Sequence, residues 1–96
     1  MDLPEHWFPI EDAEVGRALE TELRRECKPG HPLFGVPVAA SARRRDQDDV
    51  LFEFRDKSGR LAQVHLTYAG EREKPPFPWT ILFENIEAWV TSLGEE

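Results

Sequence analysis

A single cysteine, Cys27, is all that this 96-residue chain carries. That excludes an internal disulfide, and with it the disulfide-stapled scaffolds of small secreted domains. Long apolar runs are missing too: no stretch approaches the roughly 18 apolar residues of a membrane-spanning helix. Basic charge is scarce, with 12 Lys and Arg against 19 Asp and Glu and a formal net charge of −7. Such a chain repels phosphate backbones, so nucleic acid is not an expected partner. Its one basic run, Arg43-Arg44-Arg45, meets Asp46, Asp48 and Asp49 at once and reads as a solvated strand end. Catalytic signatures are equally absent. There is no HExxH, no CxxC pair, no glycine-rich phosphate loop and no nucleophile motif. No cofactor and no metal are expected. Met1 to His6 lack the basic and apolar regions of a secretory signal, so a cytoplasmic location without membrane association is the expectation.

What is present suits one globular domain over residues 1–96, with residues 1–10 as an N-terminal arm. Pro4 and Pro9 argue against a helix in the arm, and Trp7 and Phe8 carry enough apolar area to anchor it. From Glu11 to Cys27, Val15, Leu19, Leu23 and Cys27 recur every four residues with charges between them, which predicts an amphipathic helix stopped by Pro29-Gly30. Cys27 closes the apolar stripe and reads as a packed small hydrophobe. Val36 to Arg44 alternates as a strand, with Val36, Val38, Ala40 and Ala42 on one face. Asp49–Arg55 and Leu61–Tyr68 follow as two more strands, and Thr80–Phe83 as a short fourth. Pro75, Pro76 and Pro78 predict an extended, polyproline-like approach to that fourth strand. Asn85 is a suitable N-cap for a last helix, whose Ile86, Trp89, Val90 and Leu93 share one face. The fold class is therefore α+β. We expect a two-layer sandwich in the order helix, three or four antiparallel strands, helix, with both helices on one sheet face.

Placing Val50, Phe52 and Phe54 on the same face as Ala62, Val64, Leu66 and Tyr68 predicts Phe54 opposite Ala62. The turn is then Lys57-Ser58-Gly59, with Gly59 at the position that needs positive φ. The other face then gathers Asp49, Leu51, Glu53, Gln63 and His65, with Asp49 and Glu53 as diagonal neighbours of His65. Two functions fit such a face. The leading expectation is a non-enzymatic acidic interaction module, regulatory or inhibitory, whose partner is a protein of basic character or a second copy of the chain. Leu51, Gln63, His65, Trp79 and His31 would supply its contacts. The alternative is a small enzyme, or a ligand- or metal-binding protein, in which His65 acts as base and Asp49 and Glu53 orient it.

The segments His31-Pro32-Leu33-Phe34-Gly35, Asp48-Asp49-Val50-Leu51-Phe52 and Val64-His65-Leu66-Thr67, with Glu73 and Pro78-Trp79, resemble a group of small bacterial proteins of unknown function. The resemblance runs from Gly30 to Trp89. It implies a bacterial, cytoplasmic, single-domain protein and carries over no functional residue.

Overall fold

The computed structural model describes residues 3–68, 74 and 77–94. Its elements are β1 (Trp7–Pro9), α1 (Ala13–Glu26), β2 (Val38–Arg44), β3 (Asp49–Phe54), β4 (Leu61–His65), β5 (Trp79–Phe83) and α2 (Ile86–Gly94). The fold is α+β: one antiparallel sheet in the order β1-β2-β3-β4-β5, flanked by two helices. Each strand pairs with its neighbour in sequence, as short connections dictate. The sheet has one strand more than expected, because the arm does not simply lie against the domain. Trp7 pairs with Arg44 and Pro9 with Ala42, so the arm extends the sheet. Of the polyproline path expected over residues 75–78, residues 75 and 76 lie outside the described residues, and Phe77 and Pro78 are joined by a cis peptide bond rather than the trans bonds of a polyproline helix. No helix among the described residues is long and apolar enough to cross a membrane.

The helices start where side chains can satisfy their first N–H groups. Asp12 Oδ1 accepts from Glu14 N at 2.8 Å, and Asn85 Oδ1 accepts from Ala88 N at 2.8 Å. Leu19 and Leu23 of α1 and Cys27 at its C-cap then pack on Val50, Phe52, Phe54, Ala62, Val64 and Leu66. Phe52, Ala62 and Val64 are completely buried there.

The placement of α2 corrects the expectation that both helices share a face. Trp89 of α2 packs with Trp7, Ala42, Leu51 and Leu61. Leu51 and Leu61 stand on the opposite side of their strands from Phe52 and Ala62, because strand side chains alternate. Thus α1 covers one face and α2 part of the other. The physical reason is the apolar pair Leu51–Leu61, which would otherwise lie open to water. Trp7 and Trp89 cover it, meeting edge to face with ring centroids 5.0 Å apart. A bulge in β2 contributes. Ala40 pairs with Phe52 but Ala42 pairs with Leu51, so the extra residue, Ser41, turns Ala42 toward the second core. The expected alternation of Val38, Ala40 and Ala42 on one face therefore breaks after Ala40.

The β3–β4 register also differs from expectation. Phe52 is opposite Ala62, Val50 opposite Val64 and Asp49 opposite His65. The slip is two residues, so both sets of core residues stay on their face while every cross-strand pair changes. The cause lies in the turn. Arg55 leaves β4 for β2, its N–H donating to Pro37 O and its Nε to Val38 O, both at 3.1 Å. The loop thereby lengthens to Arg55–Gly59 and closes through side chains. Asp56 Oδ1 accepts from Ser58 N at 2.9 Å, and Ser58 Oγ accepts from Arg60 N at 3.1 Å. Lys57 and Gly59 take positive φ, 64° and 82°.

Candidate functional site

Asp49 opens β3 and His65 closes β4, and the register puts them face to face. Asp49 Oδ1 accepts from His65 Nδ1 at 2.5 Å. Gln63, two residues before His65 and on the same face, donates its Nε2 to Asp49 Oδ2 at 3.0 Å, and its Oε1 accepts from Trp89 Nε1 at 3.0 Å. An indole nitrogen is only a donor, which fixes the Gln63 amide with oxygen toward Trp89 and nitrogen toward Asp49. Asp49 then has donors on both oxygens. The Asp49 bond places a proton on His65 Nδ1, so in the neutral ring the lone pair is on Nε2. The two ends of this chain of bonds differ in burial. Trp89 is fully buried, Gln63 half-buried, the Asp49 side chain 11% exposed and the His65 side chain 53% exposed. A rigid anchor below thus orients an accessible imidazole above.

The wall beside that imidazole is aromatic. Trp79 of β5 lies directly across from His65, and Ile81 directly across from Gln63. Trp79 and Ile81 are both exposed, and the ring of Phe77, also exposed, lies 6.5 Å from that of Trp79.

Of the residues expected at the site, Asp49, Gln63, His65 and Trp79 are brought together, and three are not. Glu53 pairs with Leu61, four pairs along the ladder from Asp49 and His65. It lies about 13 Å along the sheet and is no diagonal neighbour of His65. Leu51 is 1% exposed and belongs to the core under Trp7 and Trp89 rather than to a contact surface. His31 is buried on the α1 side. Its Nδ1 accepts from Leu33 N at 3.0 Å, while its Nε2 donates to Pro78 O at 2.8 Å and lies 3.1 Å from Thr80 Oγ1. It fastens the segment before β5 and has no nitrogen to spare. Cys27 Sγ lies 3.4 Å from His31 Nδ1, and burial, with the charge of Glu26, pushes the thiol up to about 11. It stays a protonated packing group at neutral pH. Among the described residues no three His, Cys, Asp or Glu side chains converge to hold a metal ion.

Two features lie outside the sequence reading. The link through Trp89 is one, because nothing local ties a helical tryptophan to a strand glutamine. The other is a buried carboxyl pair on α1. Glu26 is fully buried and receives the N–H groups of Thr67 and Tyr68 at 2.9 and 3.0 Å. Glu22, one turn earlier, lies beside it, and its buried Oε2 has no donor among the described residues other than a proton carried by the Glu26 carboxyl. Burial raises the Glu26 carboxyl above the ordinary range, its contact with Glu22 adds to the rise, and the Thr67 and Tyr68 donors oppose it. Glu22 is held down, first by the hydrogen bond with Glu26 and then, against its own burial, by Arg25. The i, i+4 spacing was the available signal. Charges expected on the polar faces of the helix are instead buried, and Glu26 ties α1 to the residues that follow β4.

Comparison with protein-family models, with curated proteins and with solved structures finds no match to this chain.

Proposed function

We propose that the chain is a protein-interaction module that takes an extended partner segment along β5, with the aromatic patch beside His65 contacting its side chains. One observation carries this reading. β5 is an outer strand of the sheet, yet Trp79, Ile81 and Leu82 are 53%, 44% and 43% exposed. Edge strands expose unpaired N–H and C=O groups, and proteins that do not use them blunt them with charge or proline. Residues 79–83 contain neither. Strand addition suits such an edge, with backbone hydrogen bonds supplying affinity and alternate side chains supplying selectivity. The formal charge of −7 favours a basic partner segment. A cytoplasmic setting, and the bacterial origin implied by the resemblance, belong to the same proposal.

Selection of a displayed peptide library on the immobilised protein tests it, with Ile81→Lys as the counter-selected variant. The expected binders are extended, apolar peptides with Lys or Arg that bind the parent chain and lose the variant. Binders indifferent to Ile81→Lys would refute the proposal. So would no binders from a chain that sedimentation shows to be monomeric. Concentration-dependent dimers abolished by Ile81→Lys would identify the partner as a second copy.

The hydrogen bond that leaves the lone pair of the half-exposed His65 ring on Nε2 supports a second reading, a weak general base. Hydrolysis of an activated aryl ester is its measurement. Equal rates for the parent chain, Asp49→Asn and His65→Ala would eliminate it.

A further inference from the structure

On the α1 side, away from His65, a groove of about 490 Å³ lies between the second half of α1 and the segment leading into β2. That volume falls within the roughly 300–1,000 Å³ of small-molecule sites. Its floor is apolar: Leu23, Cys27, Leu33 and Val38 reach it from the core, and the Cys27 thiol there is protonated. Phe34 stands on the rim, 45% exposed, a large apolar ring left in water beside an apolar floor.

The charges around this groove do not cancel. Glu20 and Arg55 neutralise one another. Arg55 Nη2 lies 3.3 Å from Glu20 Oε1, while Glu20 Oε2 accepts from Ala40 N at 2.9 Å. Arg24, also on the groove, donates to Thr21 Oγ1 at 3.2 Å and pairs with no carboxylate among the described residues. In a chain with so large an acidic excess, an arginine with no carboxylate partner among the described residues borders an apolar cleft here. Guanidinium groups bind carboxylates and phosphates through paired hydrogen bonds.

We propose that this groove binds a small amphiphile, with its apolar tail on Leu23, Cys27 and Val38 and its single anionic head on Arg24. The head is a carboxylate or a phosphate ester, groups that share the same chemistry toward a guanidinium. The groove and β5 occupy different parts of the fold, so this inference stands independently of the interaction proposal.

The test titrates the whole protein with decanoate, decyl phosphate and decanol, each below its aggregation threshold, while amide spectra are recorded. Saturable shifts are expected at Leu23, Cys27, Val36 and Val38 with the two anions, and decanol should bind more weakly. Arg24→Glu, at an exposed helix position, should weaken the anions about tenfold or more, the size expected for a hydrogen bond to a charged group. Its melting temperature should not change. A preference between the anions identifies the head group. Four results would overturn the inference: no saturable binding, decanol binding as tightly as the anions, an Arg24→Glu protein that binds them as the parent does, or shifts confined to Trp79 and Ile81.

Discussion

Replacing Glu22 by Gln exchanges one buried carboxylate oxygen for an amide nitrogen beside Glu26. In the parent chain Glu22 and Glu26 lie together in the interior, which favours a proton on Glu26 over two facing negative charges. Glu26 is raised in the folded state. Its contribution to stability is complete below the ordinary value of 4.5 and is lost as pH rises through its folded value. Glu22 is lowered. Its contribution is present above 4.5 and is lost as pH falls through its folded value. The alkaline-side loss therefore belongs to Glu26, and it begins above 4.5. The introduced amide supplies a permanent N–H donor where the parent needs a proton. An unsatisfied buried polar atom costs about 1–3 kcal/mol, which bounds the gain. Arg25 loses an ion pair, but its side chain is 44% exposed and its N–H groups can still donate to the amide oxygen, so little is lost. Glu22→Gln should then stabilise the fold by about 1 kcal/mol near pH 8, or roughly 4–8 °C in melting temperature for a domain of this size. Near pH 4 the difference should vanish, because the parent pair then holds its own proton. Urea denaturation followed by tryptophan fluorescence at the two pH values measures both numbers. A variant less stable near pH 8, or a difference that does not depend on pH, would refute the shared-proton account.

Leu51→Ala should cost about 2–5 kcal/mol in the same denaturation assay, since Leu51 is core; a loss under about 1 kcal/mol would return it to the surface. His65→Ala should leave stability nearly unchanged, because the side chain is half exposed and its partner Asp49 keeps the Gln63 donor. Imidazole 15N spectra of neutral His65 should show Nδ1 protonated and Nε2 bare, with Asp49→Asn weakening that preference; a proton on Nε2 in the parent chain contradicts the relay.

Sequence legibility followed the range of the interactions involved. α1 and α2 were readable because apolar spacing and the cap at Asn85 act within a few residues. Strand faces were readable too, since Val50, Phe52 and Val64 alternate regardless of register. The register was not, because Asp56 and Ser58 close the turn through side-chain bonds and Arg55 is drawn to β2. Nor was the bulge at Ser41, where a run of small residues gives no contrast between faces. Leu51 did signal an apolar position on the second face, read as a contact residue. Only the arrival of Trp7 from the arm and Trp89 from α2, both distant in sequence, makes it part of a core. The register slip then decided the site. It removed Glu53 from His65 and set Asp49 directly across from it.

The two proposed surfaces can be tested separately because the sheet holds them apart. The groove borders the start of β2, whereas the interaction edge is β5, with β3 and β4 between. Strand spacing alone puts them about 14 Å apart, beyond the roughly 7–10 Å within which substitutions usually couple. The aromatic patch also faces the α2 side, while the groove opens on the α1 side. An effect of Arg24→Glu on peptide capture, or of Ile81→Lys on decanoate, therefore could not arise by direct contact. It would require the intervening core around Phe52, Ala62 and Val64 to transmit the change. That layer is fully buried and packed from above by α1, so a substitution at either surface has no loose element through which to act.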